Sequence, residues 1–101
     1  MKGRNPTASE RRHMAAVAAL GCIVCLLHLQ IFTPAGIHHT DGKTKPGAHK
    51  KVLPLCSMHH QGGENTPKYV SRHPWKAEFE RRYGTEAELL EKVDELLGVV
   101  A

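Results

Sequence analysis

The sequence predicts a small α+β domain: a strand, loop, strand and short helix folded around metal, with a zinc knuckle and helices on either side. Three observations carry this. Ile37–His60 reads IHHTDGKTKPGAHKKVLPLCSMHH, and with Cys22-Ile23-Val24-Cys25 upstream it gathers all three cysteines and several of the eight histidines into one short window. Histidine and cysteine are the usual zinc ligands. The chain has 101 residues and only five aromatic side chains other than histidine (Phe32, Tyr69, Trp75, Phe79 and Tyr83), so one domain with a modest core needing a metal staple is expected. The longer helical patterns lie toward the two ends, outside this window.

Residues 1–6 form a basic tail, and residues 7–101 the domain. Thr7 with Glu10 has the pattern of a capping box, opening a helix over about Ala8–Leu20 whose apolar face holds Met14, Val17 and Ala18. Gly21 stops it, and Gly21–Cys25 is expected to make a tight turn. Leu26–Phe32 is expected to be short and extended. Ile37–Thr40 reads as a strand ending in the turn signal Asp41-Gly42, and Lys43–Lys51 as a basic loop. Val52–Leu55 reads as a second strand, with Pro54 suited to an edge. Ser57 is expected to cap a short helix carrying His59 and His60. Glu64–His73 is expected to be irregular. Trp75, Phe79 and Tyr83 recur every four residues and predict a helix ended by Gly84. Thr85 with Glu88 caps a last helix, whose stripe of Leu89, Leu90, Val93, Leu96 and Leu97 is core packing rather than a binding surface.

The net charge is +4, and it is uneven: residues 1–82 carry +8 and residues 83–101 carry −4. The His/Cys window therefore lies in the basic part, as expected for an anionic partner such as DNA. Three cysteines cannot form a complete disulfide framework within one chain, and their paired spacings fit zinc in a reducing compartment. The apolar run Met14–Leu27 follows basic residues and loosely imitates a signal peptide, but Glu10 and His13 interrupt the approach. The run is too short to span a membrane, so no membrane association is expected and a cytoplasmic location is.

Cys22, Cys25, Cys56 and His59 form a Cys3His set from C-x2-C and C-x2-H knuckles about thirty residues apart, a spacing characteristic of closed structural zinc sites. His60 is an alternative fourth ligand. Neighbouring residues on a helix point about 100° apart, so one of the pair serves the clamp and the other is free for a second site. His38 and His39, ending a strand, can bind a divalent metal or take a proton from water near neutral pH. Residues adjacent on a regular strand face opposite ways, so both reach one site only where the strand bends or ends.

The segments GCIVC, IHHTDGK, LPLCSMHH and FERRYGTEAELLEKV resemble the HNH nucleases, of ββα-metal (His-Me finger) fold, and more narrowly the phage recombination-enhancement nucleases of the Ref type, which are RecA-dependent. The resemblance runs from about Arg12 to Leu97. It implies a metal-dependent DNA endonuclease acting with a RecA–DNA filament, in the host cytoplasm for a phage-encoded protein. It further implies His39 as general base, and His38, His60 and His73 at a catalytic Mg²⁺ or Mn²⁺ (or Zn²⁺) beside the structural Zn²⁺. The pattern departs from the family at its middle position, where HNH enzymes carry Asn and Ref-like proteins an acid. Here that position falls at Lys51, with His49 close by; a charged lysine binds phosphate rather than metal. Lys43, Lys45, Lys50 and Lys51 are expected to contact DNA phosphates. The competing reading is a non-catalytic zinc module that binds DNA or protein. A zinc nucleobase deaminase would need a His-x-Glu beside a Pro-Cys-x-x-Cys, which the chain lacks.

Overall fold

Two capping boxes start the helices at the ends of the chain. Thr7 Oγ1 accepts from the Glu10 N–H at 3.1 Å while Glu10 returns a carboxylate oxygen to the Thr7 N–H at 2.8 Å, and α1 (Ala8–Ala19) follows. Thr85 and Glu88 do the same at 3.1 and 2.8 Å, and α4 (Glu86–Leu97) follows. Each box satisfies two of the N–H groups that a helix start leaves unpaired. Between these helices the computed structural model, which describes residues 5–40 and 48–98, places β1 (Gly36–His39), a 3-10 turn (Ala48–Lys50), β2 (Val52–Leu55), α2 (Ser57–His60) and α3 (Lys76–Tyr83). This is the expected α+β architecture, with strand, strand and helix at its centre. The expected Asp41-Gly42 turn, Lys43 and Lys45 lie outside the described residues.

β1 and β2 pair antiparallel, with His38 opposite Leu53 and His39 opposite Val52. β2 is buried along its whole length, and α1 and α4 both pack on it. Pro54 is tolerated because the sheet has two strands and β2 has a free edge. Val17, Ile23, Val24, Val52, Leu53, Val70, Phe79, Leu89 and Val93 form the core, and Cys22, Cys25 and Cys56 belong to the same cluster. Phe79 is fully buried, whereas Trp75, immediately before α3, is partly exposed and donates its indole N–H to the Gly63 carbonyl at 3.3 Å.

Four local expectations change. Leu26–Phe32 is not extended: Cys22 O accepts from the Leu26 N–H at 3.0 Å, and the chain continues as a π-helical turn over Cys25–Leu29, closed by Gln30 in the left-handed region at φ 57°. The knuckle thus opens a helix instead of a tight turn, because its first carbonyl is already helically bonded. The residue capping α2 is Cys56 rather than Ser57, with extended backbone and no side-chain cap. The Glu64–His73 connection contains an antiparallel bridge between Asn65 and Val70. Ser71 anchors that connection by accepting from the Glu64 N–H at 2.9 Å and donating to Met58 O at 2.5 Å.

Two candidate metal centres on one short helix

The first centre is the Cys3His clamp. The knuckle supplies Cys22, just before the helical turn, and Cys25, which opens its π-helical part; Cys56 follows β2 as the cap of α2, and α2 supplies His59; all four are buried. His59 Nδ1 lies 3.5 Å from the sulfurs of Cys22 and Cys25 and 3.3 Å from that of Cys56, and the Cys25 and Cys56 sulfurs are 3.8 Å apart. A tetrahedral ion with bonds of about 2.3 Å to sulfur and about 2.05 Å to nitrogen sets sulfurs about 3.8 Å apart and sulfur from nitrogen about 3.6 Å. The cluster therefore has the dimensions of a structural zinc site. Its chemistry agrees. Burial pushes the Cys22 thiol up to about 12, against lowering hydrogen bonds from backbone, and burial raises Cys25 as well. Thiolates in such surroundings need a cation. Burial lowers His59 to about 4, so the ring is neutral near pH 7 and can ligate through Nδ1. Nε2 then carries the proton; it is buried with no hydrogen-bond partner among the described residues, and the Tyr69 and Tyr83 rings lie 5.2 Å from the imidazole.

The second centre lies on the other side of α2. His38 from β1, His60 from α2 and His73 from the turn before α3 bring one ring nitrogen each within 4.8 Å of the others. His38 Nδ1 and His60 Nε2 are 3.2 Å apart. Two ligands about 2.1 Å from one ion stand about 3.0 Å apart in octahedral and about 3.4 Å in tetrahedral geometry, so this pair fits a divalent cation. His73 is brought in by backbone pairing, since the N–H groups of Arg72 and His73 donate to the carbonyls of His59 and His60, both at 2.8 Å. These bonds also satisfy the carbonyls at the end of α2. Burial, then the charges of His38, His73 and Arg72, lower His60 to about 4; burial and Arg72 lower His73 in the same direction. Neutral rings with available lone pairs are the state that a metal requires.

Of the two neighbouring histidines, His59 stands with the cysteines and His60 with His38 and His73. His39 stands apart from both clusters. As strand alternation requires, it faces away from His38, and its Nε2 lies 3.0 Å from Nδ1 of the buried His49. Among the described residues His49 meets His39, and the Lys51 carbonyl accepts from the N–H and hydroxyl of Thr40 at 3.1 and 3.0 Å. Lys50 and Lys51 are exposed beside this pair.

One residue at the second centre escaped the sequence reading. Glu86 Oε2 accepts from His38 Nε2 at 2.6 Å and from Arg72 Nε at 2.7 Å. Burial would raise this carboxyl, but the hydrogen bonds from His38 and Arg72 and the Arg72 charge outweigh it and hold it at about 2. A glutamate opening a helix is commonplace, and nothing in its local sequence points to His38, 48 residues away.

Among the described residues no helix is long and apolar enough to cross a membrane. A family model described as recombination enhancement, RecA-dependent nuclease matches residues 6–98, a span that takes in every residue of both clusters. The chain belongs to this family of nucleases.

Proposed function

We propose that this protein is an HNH-type, divalent-metal-dependent endonuclease that hydrolyses DNA phosphodiester bonds in association with a RecA–DNA filament in the cytoplasm. The observation that carries the reading is the convergence of His38, His60 and His73 from three separate segments, with His39 next in the chain. His38, His60 and His73 hold the cation, which when bound supplies positive charge to the phosphodiester and its leaving oxygen. His39 takes the proton from water as the water oxygen attacks phosphorus and the bond to the leaving sugar oxygen breaks. His49, in hydrogen-bond contact with His39, restricts rotation of that ring. Cys22, Cys25, Cys56 and His59 hold zinc and fix α2, so that His60 presents its ring to the other side. Lys43, Lys45, Lys50 and Lys51 contact phosphates. RecA association rests on family membership.

Nicking of single- and double-stranded DNA with Mg²⁺ or Mn²⁺, with and without a RecA filament, tests the reading. His39→Ala is expected to keep zinc, fold and DNA affinity and to lose about 10²–10⁴ in single-turnover rate, the usual worth of a general base. A His39→Ala protein that cuts as fast as the parent overturns the mechanism, and a parent that binds DNA without cutting it leaves the zinc-stabilised binding module in its place.

A further inference from the structure

Glu86 belongs to neither ligand cluster, yet it is held by both His38 and Arg72. It is the first residue of α4, its side chain is 12% exposed, and a single oxygen takes both the His38 and the Arg72 hydrogen bonds. An ionised carboxylate has no proton to give. His38 must therefore donate from Nε2, and in a neutral, metal-ligating ring the lone pair is then on Nδ1, the atom 3.2 Å from His60 Nε2. Arg72 joins the arrangement to the third ligand, because its own N–H bonds the His59 carbonyl and the next residue is His73. The carboxylate is fixed from its own side too: the Thr85 capping box sets the start of α4, and the Glu86 N–H approaches Glu80 Oε2 at 3.4 Å.

We infer that Glu86, steadied by Arg72, is a positioning residue for the three-histidine centre: it selects the Nδ1-ligating tautomer of His38, fixes the ring's direction and adds a negative charge behind the cation. The inference rests on the reading of His38, His60 and His73 as the catalytic metal ligands. A carboxylate behind a ligating histidine raises its basicity, and loss of such a partner typically costs 10–100-fold in metal affinity. α4 thereby takes part in the centre although it supplies no ligand, and the acidic C-terminal helix gains a duty beyond core packing.

The test uses the full zinc-loaded chain and two readouts other than cleavage. Mn²⁺ affinity of the second centre is measured by titration calorimetry, and the His38 tautomer by imidazole nitrogen resonances in Mn²⁺-free protein. The parent is expected to show His38 protonated at Nε2. Glu86→Ala should mix the tautomers and weaken Mn²⁺ binding about 10–100-fold with zinc retained. Glu86→Gln, whose amide oxygen can still accept from Nε2, should restore the tautomer and part of the affinity. If Glu86→Ala does not fold, Glu86→Asp keeps an acid at the helix start while withdrawing it from His38, and should show the same two losses. An Ala or Asp variant with unchanged tautomer and unchanged Mn²⁺ affinity overturns the inference and leaves Glu86 as a staple for α4. His38→Ala separates the two levels. If it abolishes Mn²⁺ binding while Glu86→Ala leaves it intact, only the positioning role falls; if it leaves Mn²⁺ binding intact, the three-histidine reading falls and the role of Glu86 with it.

Discussion

His59 and His60 are neighbours on one helical turn and face different centres, which makes α2 the place where folding and chemistry can be separated by single substitutions. Cys56→Ala or His59→Ala is expected to lose zinc and to loosen the fold together, since zinc binding and folding are coupled and the clamp lies in the core. His60→Ala should keep the zinc and the melting transition while raising the Mn²⁺ or Mg²⁺ needed for cleavage. Zinc content, thermal melting and the metal dependence of nicking check this, and the reverse pattern would mean that the assignment is swapped. A pH dependence follows at the same position. His60 is lowered from 6.5 to about 4, first by burial and then by its charged neighbours. Between those values the unfolded chain takes up a proton that the folded chain refuses, so the His60 contribution is fully present above pH 6.5 and is lost as pH falls toward 4. Urea midpoints of zinc-loaded protein should therefore decline below pH 6.5, and less steeply in His60→Gln. What the sequence showed at this scale was residue type and spacing. The Cys3His set was read from those spacings, because ligand chemistry restricts it to few residue types, whereas His73 entered the three-histidine set only through the family resemblance. The partners that hold ligands in place were not legible. Glu86 meets His38 across 48 residues, and His49 meets His39 across a loop whose path no local pattern fixes.

At the scale of elements, legibility followed the strength of the local signal. Both capping boxes, both strands and the helices near either end lie where their patterns put them, because each has a cap or a period that no other conformation satisfies. Leu26–Phe32 had neither. Its apolar residues carry no clear period, and the helical turn there is imposed by the knuckle and by the closing left-handed Gln30. Gly21 is what lets α1 end and the knuckle begin in so little chain. Its φ is +77°, and a Cβ there would meet the Phe32 ring at 2.8 Å and Thr33 O at 2.9 Å, beside the Cys22 N–H to Thr33 O bond of 2.8 Å. The backbone conformation alone costs a residue other than glycine about 1–2 kcal/mol. Gly21→Ala is expected to lose at least that much in denaturant unfolding and to bind zinc less firmly, because Cys22 is the next residue. Gly36→Ala, at a strand position with open space around its Cβ, should be close to neutral and serves as the control.

For the molecule as a whole, a small core and an uneven charge point the same way. A zinc held by the Cys3His cluster would join the knuckle, the residue after β2 and α2, and the three cysteines are as buried as the aliphatic core around them. The acidic residues of the last helix lie outside the basic stretch of sequence, although Glu86 pairs with Arg72, and within that stretch Lys50 and Lys51 are exposed at the β1–β2 connection. The exposed Lys50 and Lys51 give positive charge beside the His39–His49 pair, and phosphate contacts made there should add affinity without sequence preference. Each phosphate neutralised on duplex DNA contributes about 0.9 to the slope of log affinity against log salt, and about 0.7 on single strands. Replacing Lys43, Lys45, Lys50 and Lys51 together with Ala is therefore expected to flatten that slope by up to about 3.6 on duplex DNA, while the zinc content and the melting transition stay as in the parent. Binding isotherms over a salt series measure this directly. A slope equal to the parent's would put the loop on the face turned away from DNA and would move the phosphate contacts to the other basic groups, Arg11 and Arg12 of α1 first among them, since both are exposed.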